Sequence, residues 1–425
     1  MARAIGLDFG TTNSAIAVVD GGGAPRLGTF DWSGGETPTF RSILYFEKDE
    51  DERIASVAGP AAIDRYLAAD DPGRLVQSLK SFLPSRDFVT TSVFGDAWRL
   101  EALIGRLLMR LREGAEARLG PLDGPIVVGR PVRFAGAKSA EDEEYALSRL
   151  RAAYWNGGFG DVVFEYEPVA AAYFYEQSLD HDELVLIADF GGGTSDFSLV
   201  RVGPGREKGG DAQPILGTAG VGVAGDAFDG KIVRHVVAPE LGQRGEHRSI
   251  FGRVLLMPEW IFAHLERWHH LSFLKTPKTL QILHDLRREA VEPEKLDALI
   301  HLVRNDLGLA LYRAVERTKV ELSSRHESRF VFQNGPAAID VEIYRGDFMT
   351  WIWDEVQQIE ACLDGLLEEC GTEPADIDAV FLTGGSSFVP AVRGLFLERF
   401  GVEKLHAGDE LTSVAGGLAL RAAEL

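Results

Sequence analysis

Apolar runs and the polar turns that punctuate them set out the plan of the chain. Leu184-Val185-Leu186-Ile187-Ala188 is a short continuous apolar run, the mark of a strand covered on both faces. It leads into Asp189-Phe190-Gly191-Gly192-Gly193-Thr194-Ser195-Asp196-Phe197-Ser198, and Leu199-Val200-Arg201-Val202 returns. The pattern predicts strand, glycine turn, strand. The chain opens in the same order, with Ile5-Gly6-Leu7, the turn Asp8-Phe9-Gly10-Thr11-Thr12-Asn13-Ser14, and Ala15-Ile16-Ala17-Val18-Val19. Superposed without a gap, Asp8, Phe9, Gly10, Ser14 and Val19 coincide with Asp189, Phe190, Gly191, Ser195 and Val200. An internal repeat of this size predicts two similar lobes, each offering a hairpin turn and a carboxylate to a ligand held in the cleft between them.

The remaining pattern fills in an α/β chain. Further strands are expected at 42–46, 126–132, 162–166 and 379–383, with amphipathic helices at 97–119, 141–156, 305–324 and 348–370. The Gly21-Gly22-Gly23 turn is expected to lead to Thr37-Pro38-Thr39-Phe40, and 203–212 reads as a polar, glycine-rich turn. Residues 58–84 read as helix and turns, with Leu75, Leu79 and Leu83 spaced by four; Lys80 lies among them and by default is a snorkelling surface lysine. Glu167 follows a predicted strand and precedes Ala170-Ala171-Ala172, so it stands where α/β sheets usually carry ligands. Glu316, Lys319 and Ser323 share one helix face, by default a solvated stripe. Residues 250–310 are helix-rich and aromatic, with Trp260, Phe262, Trp268 and Phe273. His264, His269, His270, His284 and His301 lack metal-ligand spacing and read as surface and core residues.

Composition narrows the partners. A chain of 425 residues suits more than one core, and a formal charge of −21 disfavours nucleic acid or an anionic membrane as the main partner. Cys362 and Cys370 read as unpaired thiols of a reducing compartment. The first strand begins too early for a signal peptide, and no apolar stretch approaches the roughly 18 residues of a membrane span, so a cytoplasmic location is expected. The chemistry sits in the two turns. Their glycines let backbone N–H groups crowd around an anion, and Asp189 and Asp196 beside Thr194 suit hydrated Mg²⁺ on a polyphosphate. Neither the P-loop lysine nor the Rossmann fingerprint is present.

Five segments, DFGTTNS, GRPV, EPVAAA, DFGGGTSDFS and LTGGSSFVP, occur in the order found in the actin, sugar-kinase and 70-kDa heat-shock ATPase superfamily. EPVAAA together with ERTKVELSS resembles the heat-shock (DnaK-like) branch, in its short YegD-like class. The resemblance covers that family's nucleotide-binding domain and implies a two-lobed actin-like ATPase fold with duplicated ribonuclease-H-like lobes and nucleotide in the interlobe cleft. The implied borders are lobe I at 1–188 with an inserted subdomain at about 40–115, lobe II at 189–383 with a helical insertion at about 230–310, and a return to lobe I at 384–425. No peptide-binding β-sandwich is expected after the last helix.

By the same resemblance, Gly10, Thr11, Thr12 and Asn13 hold phosphates from one side, and Gly191, Gly192, Gly193 and Thr194 from the other. Asp8 and Asp189 order the water shell of Mg²⁺, with Asp196 near K⁺ or the attacking water; Lys80 reaches the γ-phosphate and Glu167 polarises water. Gly225, Asp226, Glu316, Lys319, Ser323, Gly384, Gly385, Ser386 and Phe388 surround the nucleoside, and Pro131 matches a proline linked to coupling between the lobes. The sequence departs from the family where two arginines sandwich the adenine, since Val320 and Phe388 stand there, and the 240–310 stretch is longer. The implied function is slow ATP hydrolysis by a switch that cycles between ATP and ADP and signals to a separate protein partner or client. A small-molecule kinase and an actin-like filament protein are the alternatives from the same superfamily.

Overall fold

Arg3–Phe9 (β1) and Asn13–Asp20 (β2) pair antiparallel, as their apolar runs require, with Asp8 opposite Ala15 and Phe9 opposite Ser14. The computed structural model describes residues 3–49, 51–69, 73–177, 179–203, 215–248, 252–267, 270–407 and 413–425. Arg26–Leu27 (β3) adds to β2, while Ile126–Arg130 (β4) joins β1 in parallel and Val163–Tyr166 (β5) joins β4 in parallel.

The second repeat builds the same sheet. Glu183–Phe190 (β6) and Ser195–Val202 (β7) form the hairpin, with Asp189 opposite Asp196 and Phe190 opposite Ser195. Ile215–Val221 (β8) adds antiparallel to β7, while Ala379–Thr383 (β9) and Leu405–Ala407 (β10) follow in parallel on the other side. Thus the two sheets run β3-β2-β1-β4-β5 and β8-β7-β6-β9-β10, with the same order and sense. The mixed α/β architecture is consistent with an actin-like ATPase fold.

Small residues set the packing between these sheets. The helices Glu167–Glu176 and Ser413–Ala423 share one core with both, in which Ala170, Ala171, Ala172, Ala415 and Ala419 meet Ala15, Ala17, Val185, Ile187 and Val200. A Cβ on Gly417 would lie 1.7 Å from the carbonyl oxygen of Ala170, and one on Gly6 would lie 2.2 Å from the amide nitrogen of Ala419. Alanine and glycine therefore stand in these segments because the backbones touch.

The contact pattern divides the chain into two units, one of Met1–Ala224, Gln358–Ser387 and Arg393–Leu425, the other of Gly225–Gln357 and Phe388–Val392. The first holds both sheets. A second core within it gathers the buried face of Leu100–Leu119 (Leu103, Leu107, Leu111) with Leu7, Val18, Leu44, Phe46 and Tyr154. The other unit contains the helices Gly225–Ile232, Pro277–Glu289, Pro293–Arg304 and Gly308–Ser324 and two hairpins.

Several local expectations are corrected. Residues 58–84 are not only helix and turns: Pro60–Ala68 is helical, but Arg74–Gln77 is a strand paired to Ile43–Lys48, and Leu79–Phe82 is a 3₁₀ turn. Tertiary pairing overrides the leucine spacing there. After the Gly21-Gly22-Gly23 turn, where the sequence pattern predicts no element, come β3 and the hairpin strands Phe30–Trp32 and Gly35–Thr37, too short to leave a periodic signal. In the second unit the hairpin Glu327–Asn334 and Ala337–Tyr344 shows alternating burial, with Ser328, Phe330 and Phe332 inside. That alternation and the Asn334-Gly335 turn were its available signals. The expected turn at 204–212, Trp268 and His269 lie outside the described residues.

Candidate functional site

The two hairpin turns converge within the first unit. A Cβ on Gly193 would sit 3.6 Å from Thr11 Oγ1 and 3.9 Å from Ser81 Oγ, so the two glycine turns and the Lys80 segment border one space. The strands below are buried, whereas Thr11, Thr12, Asn13, Gly192, Gly193 and Thr194 keep part of their surface and Gly191 is exposed. Each turn is braced. Gly191 N–H donates to the Thr194 carbonyl at 3.0 Å. Ser42 Oγ donates to the Gly10 carbonyl at 2.7 Å and lies 2.9 Å from Ser14 Oγ, and Arg41 donates to Asn13 Oδ1 at 3.1 Å. Gly384, at φ +79°, closes against the second turn: a Cβ there would lie 2.1 Å from the Phe190 carbonyl, and Ser386 Oγ approaches the Gly191 carbonyl at 3.5 Å.

Lys80 is not a surface lysine. Its segment is anchored by buried Leu79 and Leu83, and its ammonium pairs with Glu167 Oε1 at 2.6 Å, both side chains being buried. Gly129 makes room for the carboxylate, since a Cβ there would lie 3.0 Å from Glu167 Cγ. Burial alone would lower the pKa of Lys80, but the facing carboxylates of Glu167, Asp8 and Asp196 more than offset it and raise it. The ammonium is therefore charged at neutral pH.

Three aspartates complete the cluster, each pushed up chiefly by burial. Asp8 rises well above the ordinary carboxylate range, with Glu167 adding to the effect and Lys80 opposing it. Asp189 is pushed up to about 6 by burial and Glu167, although Thr383 Oγ1 donates to it at 2.5 Å. Asp196 reaches about 8 by burial and the charge of Glu167, against the hydrogen bond from Thr194. It accepts backbone N–H bonds from Val132 at 3.0 Å and Arg133 at 3.3 Å, so the segment after buried Pro131 reaches the site through its amides. A Cβ on Gly220 would lie 2.5 Å from Asp196 Oδ1.

The charge balance fits a cation. Four carboxyl groups, Asp8, Glu167, Asp189 and Asp196, share the site with the single ammonium of Lys80, so acidic side chains outnumber the basic one. Among the described residues, however, no three His, Cys, Asp or Glu side chains converge closely enough to hold a metal ion. A divalent ion there would have to keep waters or ligand oxygens in its shell.

The nucleoside candidates are divided. Gly384, Gly385 and Ser386 belong to the first unit, and Gly225, Asp226, Glu316, Lys319, Ser323 and Phe388 to the second. Within the second unit the default reading of a solvated stripe fails at Lys319. Its ammonium lies 2.9 Å from Asp229 and 3.4 Å from the Gly225 carbonyl, on the helix Gly308–Ser324. Burial would lower its pKa, yet Asp229 and Glu316 more than compensate and raise it. Ser323 Oγ bonds back to the Lys319 carbonyl at 2.9 Å. Val320 and Phe388 are 61% and 51% exposed, so both present apolar surface to solvent.

The sequence reading missed Arg41, Ser42, Thr383 and Asp229. Thr383 could have been found as the last residue of a buried strand entering a Gly-Gly turn, whereas Arg41 and Ser42 carried no local signal. No helix of the described residues is long and apolar enough to cross a membrane, and both cysteines are free thiols. Residues 288–425 of the chain match the family model described as Hsp70 protein.

Proposed function

We propose that this chain is an Hsp70-family, DnaK-like protein of the short YegD-like class. In this reading it binds ATP with Mg²⁺, hydrolyses it slowly to ADP and phosphate, and changes conformation with the bound nucleotide to signal to a separate protein partner or client in the cytoplasm. One observation carries it: two glycine turns from matching sheets border the same space as a buried Lys80–Glu167 ion pair and three recessed aspartates. The family match over 288–425 supports it.

Phosphoryl transfer is mainly positioning and electrostatic stabilisation, and these residues supply both. The turn amides and hydroxyls of Gly10 to Asn13 and Gly191 to Thr194 cradle the β- and γ-phosphates. Asp8 and Asp189 would hold Mg²⁺ through water, where it would neutralise phosphate charge, and Asp196 would stand beside K⁺. Lys80, charged and poised on Glu167, turns to the γ-phosphate when the anion arrives. Glu167, released from the ammonium, orients the attacking water and takes up its proton at a carboxylate oxygen. Glu316, Lys319, Ser323 and Phe388 receive the nucleoside together with Gly225, Asp226 and Gly384 to Ser386, in a two-lobed arrangement bordered at 188/189 and 383/384. Phe388 stacks on the base, while Val320 gives it apolar contact without the cation–π attraction of an arginine.

Titration calorimetry with ATP and ADP in the presence of Mg²⁺, paired with limited proteolysis in each state, tests the proposal. Binding of both nucleotides with different cleavage patterns supports the switch. Identical patterns refute the switch, and absence of binding refutes the site.

A further inference from the structure

Outside the cluster described above, a buried arginine of the described residues makes five side-chain hydrogen bonds, none of those five to a proposed ligand residue. Arg149 is 3% exposed on the helix Ala140–Asn156. Its Nη1 donates to the carbonyls of Phe82 and Leu83, both at 3.2 Å, and of Ser85 at 3.0 Å, and its Nη2 to the carbonyl of Phe88 at 3.0 Å. Nε is held by Glu101 Oε1 at 2.6 Å, and the guanidinium lies 5.2 Å from the ring of Tyr145.

We propose that Arg149, oriented by Glu101, is a positioning residue that sets the Lys80 ammonium by fixing the backbone immediately after it. Lys80 lies in the 3₁₀ turn Leu79–Phe82, which is four residues long and starts at Ser78 in a left-handed conformation, φ +51°. A turn this short holds itself poorly, and a non-glycine residue at positive φ adds strain that the surroundings must offset. Of the carbonyls released at the end of the turn, that of Phe82 also accepts the Ser85 amide at 3.1 Å, while those of Leu83, Ser85 and Phe88 face the guanidinium. Arg149 supplies its donors from one planar group, reaching four carbonyls between 82 and 88. The stacked rings of Phe82 and Phe88, 4.5 Å apart, close the same loop.

Upstream, Leu79 and Leu83 fix the turn in the core, and across the site Glu167 fixes the ammonium. The arginine thus completes a three-point restraint on Lys80 without touching it. The chemistry requires arginine: one rigid fork faces a carboxylate with Nε, three carbonyls that share the two N–H of Nη1, and a fourth carbonyl with Nη2, while lysine has three donors on a flexible stem. A burial site that needed only a cation or apolar packing would accept the smaller amine.

The inference rests on the ATP-hydrolysing reading, and the experiment separates the two. Single-turnover ATP hydrolysis and ATP affinity are measured for the parent, Arg149→Lys, Lys80→Ala and the double variant. Arg149→Lys is expected to slow the hydrolysis step about tenfold or more with ATP affinity changed little, because a displaced catalytic group loses rate before binding. In the Lys80→Ala background the same substitution is expected to change the residual rate by less than about twofold, since the group it positions is gone. A general structural role would instead lower both backgrounds alike, and that result overturns the proposal. So does a parent-like Arg149→Lys. Should Arg149→Lys fail to fold, Glu101→Gln replaces it, keeping the arginine while loosening its orientation, with the same two-background comparison. A parent that binds ATP but does not hydrolyse it sinks the hydrolytic reading and, with it, this proposal. A parent that hydrolyses ATP while the variants fall alike sinks only the positioning role.

Discussion

Replacing Lys80 should destabilise the nucleotide-free protein more than replacing its partner Glu167. The pair is buried at 2.6 Å, and removing one member of such a pair typically costs about 3–5 kcal/mol because the other charge is stranded. The two losses differ in what remains. Glu167→Met leaves the ammonium facing Asp8 and Asp196, which also raise its pKa, so the cost falls to about 1–3 kcal/mol. Lys80→Met leaves Glu167, Asp8, Asp189 and Asp196 without the cation that offsets them, and the cost approaches the full ~3–5 kcal/mol. Protonation limits that cost at acid pH, so the gap between the two variants should widen from pH 6 to pH 8. The double variant should cost less than the sum of the singles by about 0.5–3 kcal/mol, as for any contacting pair. Urea unfolding in EDTA, followed by tryptophan fluorescence, measures all three. A Glu167→Met protein as unstable as Lys80→Met, or strict additivity in the double, would show that the charge balance is misread.

Other outcomes follow from the charges and packing described above. Asp189→Asn should reduce single-turnover hydrolysis by about tenfold or more while leaving the fold intact, and parent-like turnover would place the chemistry elsewhere. Nucleotide-free, metal-free protein should lose thermal stability as pH rises from 5 to 8: Asp189 at about 6 and Asp196 at about 8 bind protons in the folded state that the unfolded chain has already released. A midpoint that rises across this window contradicts the assignment, and Mg²⁺ with nucleotide should flatten the slope. Gly417→Val should destabilise by about 3 kcal/mol or more, because its Cβ would lie 1.7 Å from the Ala170 carbonyl oxygen. Gly365→Ala, with nothing within 4 Å of the added carbon, should instead stabilise its helix by about 0.5–1 kcal/mol. Thermal melts of the two variants decide between close packing and mere helix propensity.

The readable parts of the fold were those where local pattern and tertiary role agree. The two hairpins announced themselves because continuous apolar runs meet glycine turns, and their registers match residue for residue, with Phe9 opposite Ser14 and Phe190 opposite Ser195. Glu167 stood out because a strand ends immediately before it. Lys80 was obscured by its neighbours: Leu75, Leu79 and Leu83 look helical at spacing four, yet Arg74–Gln77 is held as a strand by Ile43–Lys48 and the turn after it is 3₁₀. Nothing local to Lys80 foretells a partner 87 residues away, nor does an arginine at 149 foretell a loop at 82–88. Such pairings follow from sheet order and helix placement, which apolar periodicity leaves open. Lys319 was hidden in the same way, since only the turn of the Gly225–Ile232 helix brings Asp229 to it.

The most direct test of the central claim is single-turnover hydrolysis of ATP by the purified chain with Mg²⁺ and K⁺, following both phosphate formation and release of ADP. The account predicts slow cleavage with ADP retained, and loss of cleavage in Lys80→Ala. Cleavage that is unchanged in Lys80→Ala, or bound ATP that is never cleaved, would contradict it.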